Sequence, residues 1–271
     1  MTDPDQGLVT VRVGAQHAVP LRDAAPVAWQ LIVDPTGRPG GENMAIDQAL
    51  LEEADQSGAA FLRLYRWDPP CLSFGRNEPA ARRYDRDLLE RRGLAVVRRP
   101  TGGRAVWHEH EVTYAVAAPV ALFGSLRQSY CAIHERLAAA LRSLGVDATL
   151  APYRPPVRLS AGPCFSSPVG GEVLINGRKV IGSAQVRHGA ALLQHGSILL
   201  DGSQDVVRAV SRQESAVTGE TTLRAALGRP VCFEEVTDAI VRTWNGSVVP
   251  AFPHPTPPFP AFTDPSWTWR R

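Results

Sequence analysis

The 271-residue chain is poor in several things, and each shortage removes a class of protein. No apolar run approaches the ~18 residues of a helical membrane span. Met1 to Gly14 carries early acidic residues and no apolar core, so a secretory signal is not expected. Cysteine is sparse, at 71, 131, 164 and 232, with no Cys-x-x-Cys spacing. Zinc ribbons and dense disulfide frameworks are therefore not expected, and a reducing cytoplasm is. Net charge is nearly absent, 29 basic residues against 27 acidic, whereas nucleic-acid binders show a clear basic excess. There is no G-x-S-x-G, which disfavours a serine hydrolase elbow, and no internal repeat.

What is present is a mixture of strand-like and helix-like runs. Residues 1–26 read as an irregular extension, because no periodicity is sustained there. Trp29 to Val33 is a strand candidate, followed by the turn-rich Asp34 to Gly41. Glu42 to Gln56 reads as a helix stopped by Gly58. Phe61 to Trp67 and Cys71 to Phe74 read as strands, Tyr84 to Arg92 as a short helix, and Leu94 to Arg99 as a buried-type strand. Arg104 to His108 and Val112 to Ala118 are further strand runs. Arg127 to Leu144 carries the clearest helical stripe, Ile133, Leu137, Leu141 and Leu144, with Gly145 at its end. Phe233 to Trp244 is a last helix with Val236, Ile240 and Trp244 on one face. Seven prolines follow Val249, so the end of the chain is expected to be extended. The pattern predicts an α+β fold with a mixed or antiparallel sheet flanked by helices. Its organisation is expected to be an extension over 1–26, a catalytic domain over 27–248, and a Pro-rich tail over 249–271.

The stretch from Cys164 to Leu200 carries the densest signals. Asn176-Gly177 between strand-like runs marks a type I′ hairpin, and His188-Gly189 marks a second turn, giving a three-stranded meander. Cys164 just before it is a candidate nucleophile, with Lys179 lowering its pKa from about 8.5 toward neutrality. A buried, inert thiol is the competing reading, and it is the one expected for Cys71, Cys131 and Cys232. Alternation puts Lys179, Ile181 and Ser183 on one strand face. There Lys179 either polarises a carbonyl oxygen or guards a sheet edge.

Arg98-Arg99-Pro100-Thr101-Gly102-Gly103-Arg104 is a basic, glycine-rich turn, either a carboxylate or phosphate cradle or a plain tight turn. It is not a P-loop. His108 and His110 share a face of a predicted strand, but no third ligand lies at a recognisable spacing, so no metal is expected. Arg82, Arg83, Arg86, Arg91 and Arg92 form a basic run that suits either a solvated helix face or an acidic carrier protein.

Four segments in order resemble the lipoate–protein ligase/octanoyltransferase family. They are Asn43 to Asp47, Arg98 to His108, Gly177 to Gln185, and Leu193 to Ile198. The resemblance spans roughly Trp29 to Trp244 and implies the mixed-sheet fold of biotin/lipoate protein ligase catalytic domains. Within that family, ligases activate lipoate with ATP. Octanoyltransferases pass an acyl chain from acyl carrier protein through a cysteine to a lysine of a lipoyl domain.

Three features favour the transferase. Arg104 stands where ligases typically have a third glycine. Cys164-Phe165 precedes the Gly-Arg-Lys strand, as in the Gram-positive type. The chain after Val249 is too short for a folded accessory domain. The cysteine of the enterobacterial-type octanoyltransferase comes later, so this chain departs from that branch.

The resemblance implies Cys164 and Lys179 as catalytic residues. It implies Arg99, Thr101, Gly102, Gly103, Ala105, Val106, His108, Gly182, Ser183, Ala184, Gln185, His195 and Gly196 as substrate-binding. It further implies no cofactor, an acyl carrier protein as donor, and a lipoyl-domain acceptor such as glycine cleavage H protein or a 2-oxoacid dehydrogenase E2. Val180, Ile181 and the strand Val112 to Ala118 are expected to line the acyl slot, and Lys179 or the leaving thiolate to take the acceptor's proton. No nucleic acid or membrane is implied. The rivals are an ATP-dependent lipoate ligase, a lipoyl amidotransferase and a non-catalytic lipoyl-binding scaffold.

Overall fold

A computed structural model describes residues 28–152, 170–213, 219–244, 247–250 and 260–270. The first half contains β1 (Ala28–Arg38), α1 (Gly40–Ser57), β2 (Ala60–Trp67), β3 (Cys71–Phe74), α2 (Ala80–Arg83), α3 (Arg86–Arg91) and β4 (Ala95–Arg98). Next come β5 (Val106–His108), β6 (Glu111–Pro119), α4 (Leu126–Ser143), β7 (Ala148–Leu150), β8 (Val173–Ile175) and β9 (Arg178–Lys179). The remainder holds β10 (Ile181–His188), β11 (Ala191–Leu199), α5 (Asp205–Ala209), α6 (Leu223–Leu227), α7 (Phe233–Thr243), β12 (Ser247–Pro250) and α8 (Pro265–Thr268).

The main sheet has the order β10-β11-β6-β2-β1-β12. β1 runs parallel to β2 and β12, while β6 runs antiparallel to both β2 and β11, so the sheet is mixed as expected. Strand alternation decides which core each residue joins. Val112, Tyr114, Val116 and Ala118 of β6 pack with Ile133, Leu137 and Leu141 of α4 and with Val236 and Ile240 of α7. Ala115 and Ala117 face the other way, against Met44, Leu50 and Leu51 of α1. Helices on both faces explain why β6 is buried along nearly its whole length. The predicted stripes of α4 and α7 are therefore the faces that meet this sheet.

Two three-stranded sheets, β4-β3-β5 and β7-β8-β9, flank the main one. Asn176 (φ 51°) and Gly177 (φ 73°) make the predicted left-handed pair between β8 and β9. The expected meander is corrected after that point, because its middle strand serves two sheets. Arg178–Lys179 pairs with β8, whereas Ile181–His188 pairs with β11. Val180 is the hand-over: its N–H donates to Val173 O and its carbonyl accepts from Leu199 N–H, both at 3.1 Å.

Other expectations also change. Asp34 to Arg38 is not a free turn but the end of β1, paired with β2 across a register shift. α1 then starts at Gly40, where a Cβ would lie 2.7 Å from the Cys71 sulfur. The helix predicted over Tyr84 to Arg92 is two short ones. Asp85 caps the second by accepting from Leu88 N–H at 3.0 Å, and Tyr84 bridges to Ser211 instead.

The end of the chain is not wholly extended, because residues 260–270 fold as a 3₁₀ turn followed by α8. The buried Arg98 guanidinium donates to the carbonyls of Thr268 and Gly75 at 2.9 and 2.7 Å, and Trp267 donates to Arg98 O at 3.0 Å. The extension over 1–26 lies outside the described residues. Among those described, no helix is long and apolar enough to cross a membrane.

Candidate active site

A pocket of about 360 Å³ opens between the α1 face of the main sheet and the small sheet β4-β3-β5. Met44 of α1 and Tyr65, Trp67 and Thr113 of β2 and β6 form one side. Ser73, Arg99, Val106 and His108 come from the small sheet. Gly182, Ser183, Ala184, His195, Gly196 and Ser197 come from β10 and β11. Close approach explains the glycine at 196. A Cβ there would lie 2.4 Å from Gly182 O and 2.5 Å from Ser183 Oγ, so only a bare backbone lets the two strands meet at this wall.

Behind the wall runs a buried polar network that ties α1 to the sheet. Asp47 accepts from Arg63 Nη1, Tyr65 OH and His195 Nδ1, each at 2.8 Å. Burial alone would raise the Asp47 pKa. The His195 hydrogen bond and the Arg63 charge outweigh it and hold the carboxyl below its usual range. Burial lowers the His195 pKa against the pull of Asp47, so the ring is neutral at neutral pH. With Nδ1–H donated to Asp47, the other ring nitrogen accepts the Thr101 hydroxyl proton at 2.6 Å. Thr101 thus stands one hydrogen bond behind the pocket rather than in its lining.

His108 repeats the pattern on the opposite side. Arg99 donates to Ser73 Oγ at 2.9 Å, Ser73 donates to His108 Nε2 at 2.7 Å, and His108 Nδ1 donates to Glu111 at 2.8 Å. Its ring stacks on Trp67 with centroids 4.0 Å apart. His110 lies beyond the end of β5 and is exposed, so the shared strand face expected for these histidines does not exist. Among the described residues, no group of three His, Cys, Asp or Glu is placed to hold a metal.

The glycine-rich turn is shaped by its own arginine. Arg99 donates to Gly102 O at 2.9 Å and Arg104 O at 2.6 Å, and a Cβ on Gly75 would lie 1.9 Å from Gly103 O. Gly102 therefore helps fix Arg99 and Gly103 packs on Gly75, and neither glycine lines the pocket. Ala105 packs with Leu72 and Phe74 under the small sheet. Gln185 points to the α4 side and donates to Gln194 Oε1 at 2.6 Å.

Lys179 is 1% exposed, and its Nζ donates to Glu172 Oε1 at 2.6 Å. That burial excludes the sheet-edge reading. Lys179 itself is not part of the pocket lining, and Cys164 lies outside the described residues. Of the residues expected around an acyl chain, Val180 and Ile181 belong to the core on the α4 side, and β6 contributes only Thr113 to this pocket.

Burial drives the Cys71 pKa far up, in keeping with an inert thiol, whereas Cys131 and Cys232 are exposed rather than core residues. Asp47, Arg63, Glu111 and Glu172 gain their roles only in the folded chain. The signal available was charge on faces that otherwise read apolar, with Arg63 sharing a face of β2 with Phe61 and Tyr65 and Asp47 sharing a face of α1 with Met44, Leu50 and Leu51.

With this geometry in place, the likenesses to known proteins are informative. An octanoyltransferase LipM from Carboxydothermus hydrogenoformans is 46% identical over 176 residues, 64% of this chain and 65% of that relative. Another, from Kyrpidia tusciae, is 40% identical over 237 residues, 78% of this chain and 84% of the relative. Among solved structures, a lipoate-protein ligase A bound with ATP superposes with a TM-score of 0.66 at 21% identity, over 83% of this chain and 89% of that one. Protein Ta0514 from T. acidophilum with bound lipoic acid gives 0.71 at 19% identity, over 90% of this chain and 100% of that one. These two establish the expected fold. Residues 39–245 match the lipoyl protein ligase A/B catalytic domain, and the chain belongs to that family.

Proposed function

We propose that this chain is an octanoyltransferase. It moves an octanoyl group from the phosphopantetheine thioester of acyl carrier protein to a lysine of a lipoyl-domain protein, by way of Cys164. The observation that carries this reading is the likeness to relatives named octanoyltransferase LipM at 46% and 40% identity. The geometry supports it with a pocket bordered by Gly182, three residues beyond a buried ammonium at Lys179.

The Cys164 thiolate attacks the donor thioester, forms acyl-Cys164 and releases the carrier's thiolate, which takes a proton from water. One thioester replaces another, so the step is near balance and needs no nucleotide. The acceptor amine then attacks the acyl carbonyl. The C–N bond forms, the C–S bond breaks, and an amide more stable than the thioester results. Lys179, already bound to the Glu172 carboxylate, serves as a fixed cation for the thiolate and for the oxyanion of each tetrahedral intermediate. The proton lost by the acceptor nitrogen goes to Lys179 or to the departing Cys164 thiolate, the two acceptors expected for it.

Met44, Tyr65, Trp67 and Val106 provide the apolar surface for the chain's hydrocarbon. Incubation with octanoyl-carrier and acceptor, with and without ATP, tests the reading. Acceptor octanoylation without ATP supports it; strict ATP dependence with pyrophosphate release identifies a ligase instead.

A further inference from the structure

The chain is almost neutral as a whole, yet its cations are not evenly spread. Three separated parts of the sequence meet on the surface beside the small sheet β4-β3-β5. Tyr84 bridges to Ser211, Arg212 N–H donates to Arg83 O at 2.7 Å, and the Arg86 guanidinium lies 5.3 Å from the centre of the Trp269 ring. Arg270 stacks on Trp267 and donates to Arg76 O. Arg76, Arg82, Arg83, Arg86, Arg212 and Arg270 are thereby gathered together.

Few carboxylates answer them. Glu78 is buried and 3.8 Å from Arg83, Glu90 pairs with Arg86 at 2.8 Å, and Asp85 is occupied in capping α3. Arg76, Arg82 and Arg212 are exposed and have no carboxylate partner among the described residues. Beneath them lies the buried Arg98, which donates to the carbonyls of Gly75, Arg76, Glu78, Trp267, Thr268 and Arg270. These dipoles occupy its N–H groups without cancelling its charge. Burial, and then the Arg270 charge, push its pKa down to about 10 against the pull of Glu78, a sign of cations crowded together.

This surface reaches the edge of the pocket. Arg76 N–H donates to Thr101 O at 2.7 Å, and Gly75 packs on Gly103, in the turn that follows the pocket residue Arg99. We infer that the arginine surface receives the donor carrier, an inference that rests on the acyl-transfer reading. The donor brings an acidic protein surface and a phosphodiester at the root of its arm, both attracted by guanidinium groups. The acceptor brings a lysine ammonium, which the same groups repel. Charge thus sorts the two partners before any chemistry takes place.

Charges at the rim of an interface act chiefly on association, so the effect belongs in KM rather than kcat. The test combines Arg76→Glu with Arg82→Glu, two exposed positions outside the pocket lining. Initial rates of acceptor octanoylation are measured against octanoyl-carrier, octanoyl-pantetheine and the acceptor in turn. With octanoyl-carrier, KM should rise about tenfold or more while kcat stays within about twofold. Rates with octanoyl-pantetheine, which has neither phosphate nor protein, should stay within about twofold, as should KM for the acceptor. They also report a folded site. An unchanged KM for the carrier, or an equal loss with octanoyl-pantetheine, overturns the inference. A rise in KM for the acceptor alone assigns the surface to the other partner and overturns it as well. Strict ATP dependence in the wild type overturns the acyl-transfer reading before any variant is compared.

Discussion

Replacing Asp47 by alanine removes the acceptor shared by Arg63, Tyr65 and His195, all of them buried. The Arg63 guanidinium is fully buried, and it retains Asn43 Oδ1 at 2.6 Å and the Asp34 carboxylate at 3.8 Å. Its charge is therefore not abandoned, but its closest counter-ion is. Breaking a buried pair by deleting one partner typically costs about 3–5 kcal/mol. The Asp34 contact places this case near the lower figure, while the orphaned Tyr65 hydroxyl adds about 1–3 kcal/mol. We expect Asp47→Ala to lose about 4 kcal/mol, a large part of the ~5–15 kcal/mol that holds a typical domain folded. Asp47→Asn, which keeps one oxygen, should lose about half as much. Urea unfolding followed by tryptophan fluorescence measures both, read as a change in midpoint at constant slope. A loss below about 1 kcal/mol for the alanine variant refutes the view that this carboxylate anchors α1 to the sheet.

Two further outcomes follow from the same contacts. His134 is wholly buried on α4, and burial gives it a folded pKa of about 4 against an ordinary 6.5. Between these values the unfolded chain binds a proton that the folded chain refuses. Its contribution is complete above pH 6.5 and declines by about 3 kcal/mol as pH falls to 4. Urea midpoints across that range should fall in the wild type and flatten partly in His134→Asn. His195, whose lowered pKa acts in the same direction, contributes to the residual slope, and the carboxylates held low, Asp47 among them, add to it near pH 4. An unaltered slope contradicts the assignment. Gly196→Ala places a methyl group 2.4 Å from Gly182 O and should prise β10 from β11 at the pocket wall. A loss of about 1–3 kcal/mol, together with octanoyl transfer falling at least about tenfold, is expected in melting and activity assays; wild-type rates count against the pocket as the acyl site.

Local chemistry was legible in the sequence, and long-range pairing was not. Asn176-Gly177 declares its turn because two adjacent residues need positive φ, a demand met within the dipeptide. The stripes of α4 and α7 declared the faces that meet the sheet. By contrast, nothing local tells Val180 to leave one sheet for another; its partners Val173 and Leu199 are chosen by the packing of whole strands. The motif residues Asp47 and His195 are 148 positions apart, and their hydrogen bond exists only because α1 crosses β11. Arg99 suggested an anion site from its type and its glycine neighbours, yet its donors hold the carbonyls of the turn. The proline content after Val249 misled for a similar reason, because Arg98 gathers the carbonyls of the chain's end into folded structure. Of the residues singled out in the sequence, Arg99, Val106, His108, Gly182 to Ala184, His195 and Gly196 border the pocket, whereas Met44, Tyr65 and Trp67 join it from elements whose motifs carry no chemical signature.

The most direct test of the central claim is intact mass and peptide mapping of the protein mixed with octanoyl-carrier thioester in the absence of ATP. The account predicts one octanoyl group on the peptide containing Cys164, lost when acceptor is added and never formed by Cys164→Ser. Octanoylated acceptor produced by Cys164→Ala, or an adduct mapped to another residue, would contradict it.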